Sequence, residues 1–150
     1  MPEQELGETH SEDCRLLLID MTPVDGSAAT STLKQAYFAD WPAESFLHLF
    51  LPGASQLGLQ YGPSRALGRL ETFPIGDLAM DEACRRFSPD VILYRPVADH
   101  LYLHDAALRL IDSLGKPYAL WLMDDWPERL RNTNPAAHER MDEDLRRLFA

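Results

Sequence analysis

The stretch Pro89-Asp90-Val91-Ile92-Leu93-Tyr94-Arg95-Pro96 decides the fold class. Four consecutive apolar residues, opened by Pro-Asp and closed by Arg-Pro, are too few for a helix. They suit a strand covered on both faces, as in a parallel sheet. On the N-terminal side the spacing predicts a helix over residues 77 to 87, with Leu78, Ala79, Ala83 and Phe87 on one side. On the C-terminal side Asp99 is a candidate cap for a helix that shows Leu101, Leu108, Ile111 and Leu114. Gly115 suits the left-handed end of that helix, and Pro117 blocks its continuation. Residues 118 to 122 then read as another strand. A strand between two helices, followed by a further strand, is the repeating unit of a parallel sheet.

The rest of the chain extends the same alternation. Leu16-Leu17-Leu18-Ile19 is a second short apolar run, followed by the turn Thr22-Pro23-Val24-Asp25-Gly26-Ser27. A helix is predicted over residues 28 to 40, with Leu33, Ala36 and Tyr37 as its apolar face and Pro42 as its stop. Residues 45 to 51 read as a strand. Residues 53 to 66, which hold Gly53, Gly58, Gly62 and Pro63, read as a loop. Residues 67 to 73 form a weaker strand. Asn134 and Pro135 begin a last helix, whose stripe is Met141, Leu145, Leu148 and Phe149. The expected architecture is α/β: a Rossmann-like, doubly wound parallel sheet of five or more strands with helices on both faces.

Charge narrows the partners. The 150 residues carry a formal net charge of -10, and only Lys34 and Lys116 are lysines. So acidic a surface repels nucleic acid and anionic membranes, and neither is an expected partner. The apolar runs reach only strand length, so no integral membrane segment is expected. Residues 1 to 14 are acidic and poor in large apolar groups, which predicts a disordered tail rather than a signal peptide. Cys14 and Cys84 have neither CxxC nor zinc-finger spacing, and nothing in the sequence asks for a disulfide. A cytoplasmic protein is the expectation.

The unusual residues fall at the predicted carboxyl ends of strands, where open parallel sheets bind their ligands. After the first strand, Gly26 and Ser27 lead straight into a helix. Small residues and the free N–H groups of a helix start favour an anion there; a tight turn capped by Ser27 or Thr30 is the plainer reading. Arg95 ends the strand over residues 91 to 94. Its guanidinium is placed to meet a carboxylate or phosphate, or to pair with Asp124 or Asp125. His100 and His104 lie one helical turn apart, but no third ligand stands at a diagnostic spacing, so they read as helix-surface histidines and no metal is expected. Asp124 and Asp125 follow the strand over residues 118 to 122, between Trp121 and Trp126-Pro127. Adjacent carboxylates in such a setting are hard to explain by packing and point to function.

These residues carry a resemblance. The loop Asp25-Gly26-Ser27-Ala28-Ala29 resembles the small-residue loop of retaining GT-B glycosyltransferases, which use nucleotide sugars. The segment Pro117-Tyr118-Ala119-Leu120-Trp121-Leu122-Met123-Asp124-Asp125-Trp126-Pro127 is similar to the motif that ends their fifth strand, with Asp124 where many relatives carry histidine. The resemblance spans about residues 15 to 149. It implies the N-terminal, acceptor-side domain of a two-domain enzyme, over residues 15 to 150. The implied ligands are a nucleotide-sugar donor and an unknown acceptor. Gly26 and Ser27 would lie against the donor phosphates, with Arg95 and Trp126 among the binding residues. Asp124 and Asp125 would be the catalytic pair, orienting hydroxyls or taking a proton from the attacking one, without a protein nucleophile, a metal or another cofactor. The family's second domain carries two glutamates eight positions apart. This sequence has no such pair, so the C-terminal donor-binding domain is expected to be missing and the fragment inactive alone.

Two other readings compete. A stand-alone, non-catalytic doubly wound module for a small anion or a protein partner would share the fold and the Gly26 loop. A receiver-type signalling domain fits less well. Asp20 matches it loosely, Thr72-Phe73-Pro74 offers no phosphoacceptor, and Lys116 precedes its strand instead of following it.

Overall fold

The apolar run before Asp20 forms β1 (Leu16–Ile19), and all four of its side chains are buried. A strand buried on both faces needs a helix layer on each side, and the chain supplies them. The computed structural model describes residues 14–66, 68–97, 100–123 and 126–150. The acidic segment 1–13 and the candidate cap Asp99 lie outside these. After β1 come α1 (Ala29–Phe38), β2 (Phe46–Gly53), β3 (Gln56–Tyr61), β4 (Leu70–Pro74) and α2 (Leu78–Phe87). They are followed by β5 (Val91–Tyr94), α3 (Leu101–Leu114), β6 (Tyr118–Leu120), α4 (Trp126–Thr133) and α5 (Pro135–Phe149).

The six strands form one sheet in the order β4-β3-β2-β1-β5-β6. β1 pairs in parallel with β2 and β5, and β5 in parallel with β6. The expectation of a wholly parallel sheet is corrected at the other edge, where β3 and β4 run antiparallel. The segment 53–66 is therefore not all loop. After Gly53 the chain turns back within two residues, and Gly53 pairs with Gln56 across the hairpin. So short a connection can join only antiparallel strands.

Alternate residues of β1 feed two cores. Leu16 and Leu18 join Phe46 and Phe38 of α1 on one face. Leu17 and Ile19 join Leu47, Leu49, Ile92 and Tyr94, together with Met80 and Cys84 of α2 and Leu103 and Leu110 of α3, on the other. Leu130, Ala137, Met141 and Leu145 hold α4 and α5 together and pack on Leu101 and Leu120. The helix α4 was not expected from the sequence.

Two helix faces differ from their predicted stripes. On α1 the buried residues are Ser31, Lys34 and Phe38, while Tyr37 is 65% exposed. On α2 they are Met80, Asp81, Ala83, Cys84 and Phe87, and Leu78 is exposed. A polar pair explains the second shift: Arg109 of α3 grips Asp81 through Nε at 2.8 Å and Nη2 at 3.1 Å, which draws Asp81 inward. Helix ends follow expectation more closely. Gly115 takes φ 60 at the end of α3, and Asn134 caps α5 by accepting from the Ala137 N–H. Cys14 and Cys84 are both free. No helix among the described residues is long and apolar enough to cross a membrane.

Candidate functional site

The chain leaves β1 in one direction, building β2, β3 and β4 outward, and then returns to build β5 and β6 on the other side. The reversal falls between β1 and β5, and the crevice beyond the carboxyl ends of such a strand pair is where open α/β sheets place ligands. Asp20 stands directly after β1 and Arg95 directly after β5. Their side chains meet. Arg95 Nη1 donates to Asp20 Oδ1 at 2.7 Å, and Lys34 of α1 reaches down to Asp20 Oδ2 and to the carbonyl oxygen of Thr22. All three charged side chains are buried. Arg95 is thus held by the buried carboxylate of Asp20, a partner not foreseen from the sequence, while Asp124 and Asp125 lie outside the described residues.

This cluster holds the β1–α1 loop in place. Lys34 Nζ also donates to Thr22 Oγ1 at 2.7 Å, and Thr22 Oγ1 lies 3.2 Å from Thr30 Oγ1 in the first turn of α1. Ser31 Oγ donates to the Pro23 carbonyl at 2.7 Å, and the Gly26 N–H reaches the same oxygen at 3.4 Å. A Cβ on Gly26 would stand 2.9 Å from Ser31 Oγ and 3.1 Å from the Pro23 ring, so a larger residue there would have to displace its neighbours. From outside, Asp25 Oδ2 accepts from the Arg65 N–H at 2.9 Å. Ser27 is exposed. Neither Ser27 nor Thr30 caps the helix. The N-cap position is Ala28, without a side-chain cap, and no acidic residue occupies the first turn. The start of α1 therefore keeps the partial positive charge that an anion would seek.

Burial works on these groups in opposite directions. It raises the Asp20 carboxyl, but contact with Lys34, and with Arg95 behind it, outweighs burial and holds Asp20 below its ordinary value. Burial pulls the Lys34 ammonium down against the attraction of Asp20. His48, fully buried on β2, is pushed down to about 3, chiefly by desolvation and then by Lys34. It stacks on Phe50 at 5.1 Å between ring centroids, and neither ring nitrogen has a hydrogen-bond partner among the described residues.

The connection after β6 leaves the same rim, because β6 is parallel to β5 and β5 to β1. Trp121 N–H donates to the Tyr94 carbonyl at 2.8 Å. Asp124 and Asp125 lie outside the described residues, and Trp126 is described only as the first residue of α4. No family model, curated protein or solved structure matches the chain.

His104 corrects another expectation. It is buried, not on the helix surface, and links three elements: Nδ1 lies 2.6 Å from the Tyr94 hydroxyl of β5, and Nε2 lies 3.1 Å from Asp144 Oδ2 of α5. Burial lowers its pKa further than the hydrogen bond to the Asp144 carboxylate raises it. His100 stands apart at the N-cap of α3.

Sequence reasoning passed over Lys34 and His48. Both lie on an inward face among apolar neighbours, and that misplacement of a polar residue was the available signal. One consequence can be measured. A histidine whose folded pKa is depressed loses stability as pH falls from its unfolded value near 6.5 towards about 3. His48→Leu is expected to raise stability by about 1 kcal/mol or more at neutral pH, by removing an unsatisfied buried polar group. It should also abolish a loss of about 2 kcal/mol between roughly pH 7 and pH 5. Urea unfolding at the two pH values reads both effects, and an unchanged pH slope would refute the assignment.

Proposed function

We propose that the chain is the N-terminal, acceptor-side half of a retaining GT-B glycosyltransferase, moving a sugar from a nucleotide-sugar donor to an acceptor hydroxyl. One observation carries the reading. The Gly26–Ser27 turn with its uncapped helix start and the Asp20–Arg95 pair follow the strand ends between which strand order reverses, and β6, parallel to β5, runs towards the same rim. On this reading the amides of Gly26 and Ser27 approach the donor phosphates. Two basic side chains set against one carboxylate, just behind that turn, favour the incoming negative charge. Arg95 is 4% exposed, so it acts by field and by fixing Asp20, and not as a direct phosphate ligand. Asp125 takes the proton of the attacking hydroxyl, Asp124 orients the acceptor, and Trp126 flanks them. The Rossmann-like description then covers β1, α1, β2 and the α2–β5–α3–β6 half, with β3 and β4 as an antiparallel addition.

The reading assigns most donor affinity to a second domain. Titrating this chain with UDP-glucose, GDP-mannose and ADP-glucose should give weak, roughly millimolar binding, with amide shifts gathered at residues 26 to 31. Binding below a micromolar Kd would overturn the division of labour. Inorganic phosphate binding there as tightly as any nucleotide sugar would favour the second reading, a non-catalytic module for a small anion, which the uncapped start of α1 also suits.

A further inference from the structure

The amino rim of the sheet, away from the crevice between Asp20 and Arg95, carries a separate concavity of about 390 Å³. Arg15 enters it from just before β1, Arg69 from just before β4, and Arg86 from the end of α2. Two of the guanidiniums are spread on aromatic rings. That of Arg15 lies 4.6 Å from the Phe87 ring centroid, and that of Arg69 lies 4.5 Å from the ring of Tyr61. Stacking of this kind fixes the plane of the donor fork before any ligand arrives.

Most arginines of this acidic chain are matched by its own carboxylates, and Arg69 is held by Glu71 at 2.8 Å. Arg15 and Arg86 differ. Neither has a carboxylate within ion-pair distance among the described residues, and Arg15 Nε is buried without a hydrogen-bond partner. A desolvated guanidinium donor left unsatisfied is costly, and an oxyanion is the group that satisfies it. With Glu44 and Glu71 also in the lining, the concavity stays net positive by one, against -10 for the chain.

We propose that this concavity binds the phosphate group of a small phosphorylated molecule, with Arg15 and Arg86 as its ligands. Two unpaired guanidiniums match a doubly charged phosphate better than a single carboxylate. The volume exceeds what one oxyanion fills, so the organic part of the ligand shares the site. Glu44, exposed in the lining, is placed to accept from its hydroxyls.

The test is a titration of the chain with inorganic phosphate and with glucose 6-phosphate at constant ionic strength, followed by amide chemical shifts. Saturable shifts are expected at Arg15, Tyr61, Arg69 and Phe87. Arg86→Gln, at an exposed position that leaves the fold intact, should weaken binding about tenfold. Glu44→Gln should tighten inorganic phosphate, since a like charge is removed, and should tighten glucose 6-phosphate less, since its hydroxyls lose a carboxylate acceptor. Shifts confined to residues 26 to 31, titrations that never saturate, or an affinity untouched by Arg86→Gln would each overturn the proposal. Because the two rims report through different amides, its failure is separable from that of the glycosyltransferase reading.

Discussion

Asp20→Ala is expected to lower folding stability by about 3–5 kcal/mol, the usual cost of stripping a buried charge of its partner. The carboxylate receives Lys34, Arg95 and the N–H of Met21, and its removal leaves two buried basic groups facing each other. The comparison that isolates this cause is the double variant Asp20→Ala with Lys34→Met. It removes one of the stranded cations and should recover part of the loss, since apolar replacement of buried ion pairs is often close to neutral. Guanidinium unfolding of Asp20→Ala, Lys34→Met and the double variant gives the coupling energy. If Asp20→Ala costs less than about 1 kcal/mol, the cluster is not organised as described. Acidity offers a second handle. Asp20 titrates below its ordinary 3.8 in the folded chain, so its contribution is complete above that value and is lost as pH falls through the lower, folded one. The His48 effect lies higher, between about 3 and 6.5, and the two appear as separate limbs of one acid-unfolding curve.

The same cluster marks where the sequence was hard to read. β1, β5, α3 and α5 were legible because their apolar spacing and end signals agree: Pro-Asp before Val91, Gly115 after α3, Asn134-Pro135 before α5. β3 was hidden by its glycines. Gln56-Leu57-Gly58-Leu59-Gln60-Tyr61 does alternate, with Leu57 and Leu59 buried, but Gly58 made the stretch look like a loop. The structure gives the glycine another purpose, since a Cβ there would stand 3.1 Å from the Pro52 ring across the hairpin. Gly68 has a similar role, because a Cβ there would collide with the Tyr61 carbonyl. On α1 the eye follows Leu33, Ala36 and Tyr37, whereas the buried stripe is Ser31, Lys34 and Phe38. Lysine inside a protein requires a partner, and that partner is fourteen residues earlier, at the end of a strand. Only the register of β1 against α1 brings the two together, and one sequence does not print that register. The strand ends after β1 and β5 were legible, and the ion cluster that joins them was not.

On the proposed glycosyltransferase reading, that cluster bears on catalysis through what it fixes. Asp20 ties the end of β1 to Arg95 and so to the end of β5, and β5 in turn pairs with β6, the strand that leads towards Asp124 and Asp125. A general base must stand within hydrogen-bond reach of its proton, and a rim fixed from below supplies such a footing. The proposed role predicts that, in a two-domain polypeptide carrying this chain, Asp125→Asn lowers kcat between roughly 100- and 10,000-fold, the range for loss of a general base. KM for the donor should change little, because the substitution removes an interaction that matters as the proton leaves. Stability should move far less than turnover does, if Asp125 serves chemistry and not packing. Asp124→Asn, acting on orientation, should give the smaller fall in kcat and the larger rise in acceptor KM. Steady-state transfer assays alongside thermal unfolding separate these outcomes, and a variant at position 125 that turns over at the parent rate removes Asp125 from the mechanism.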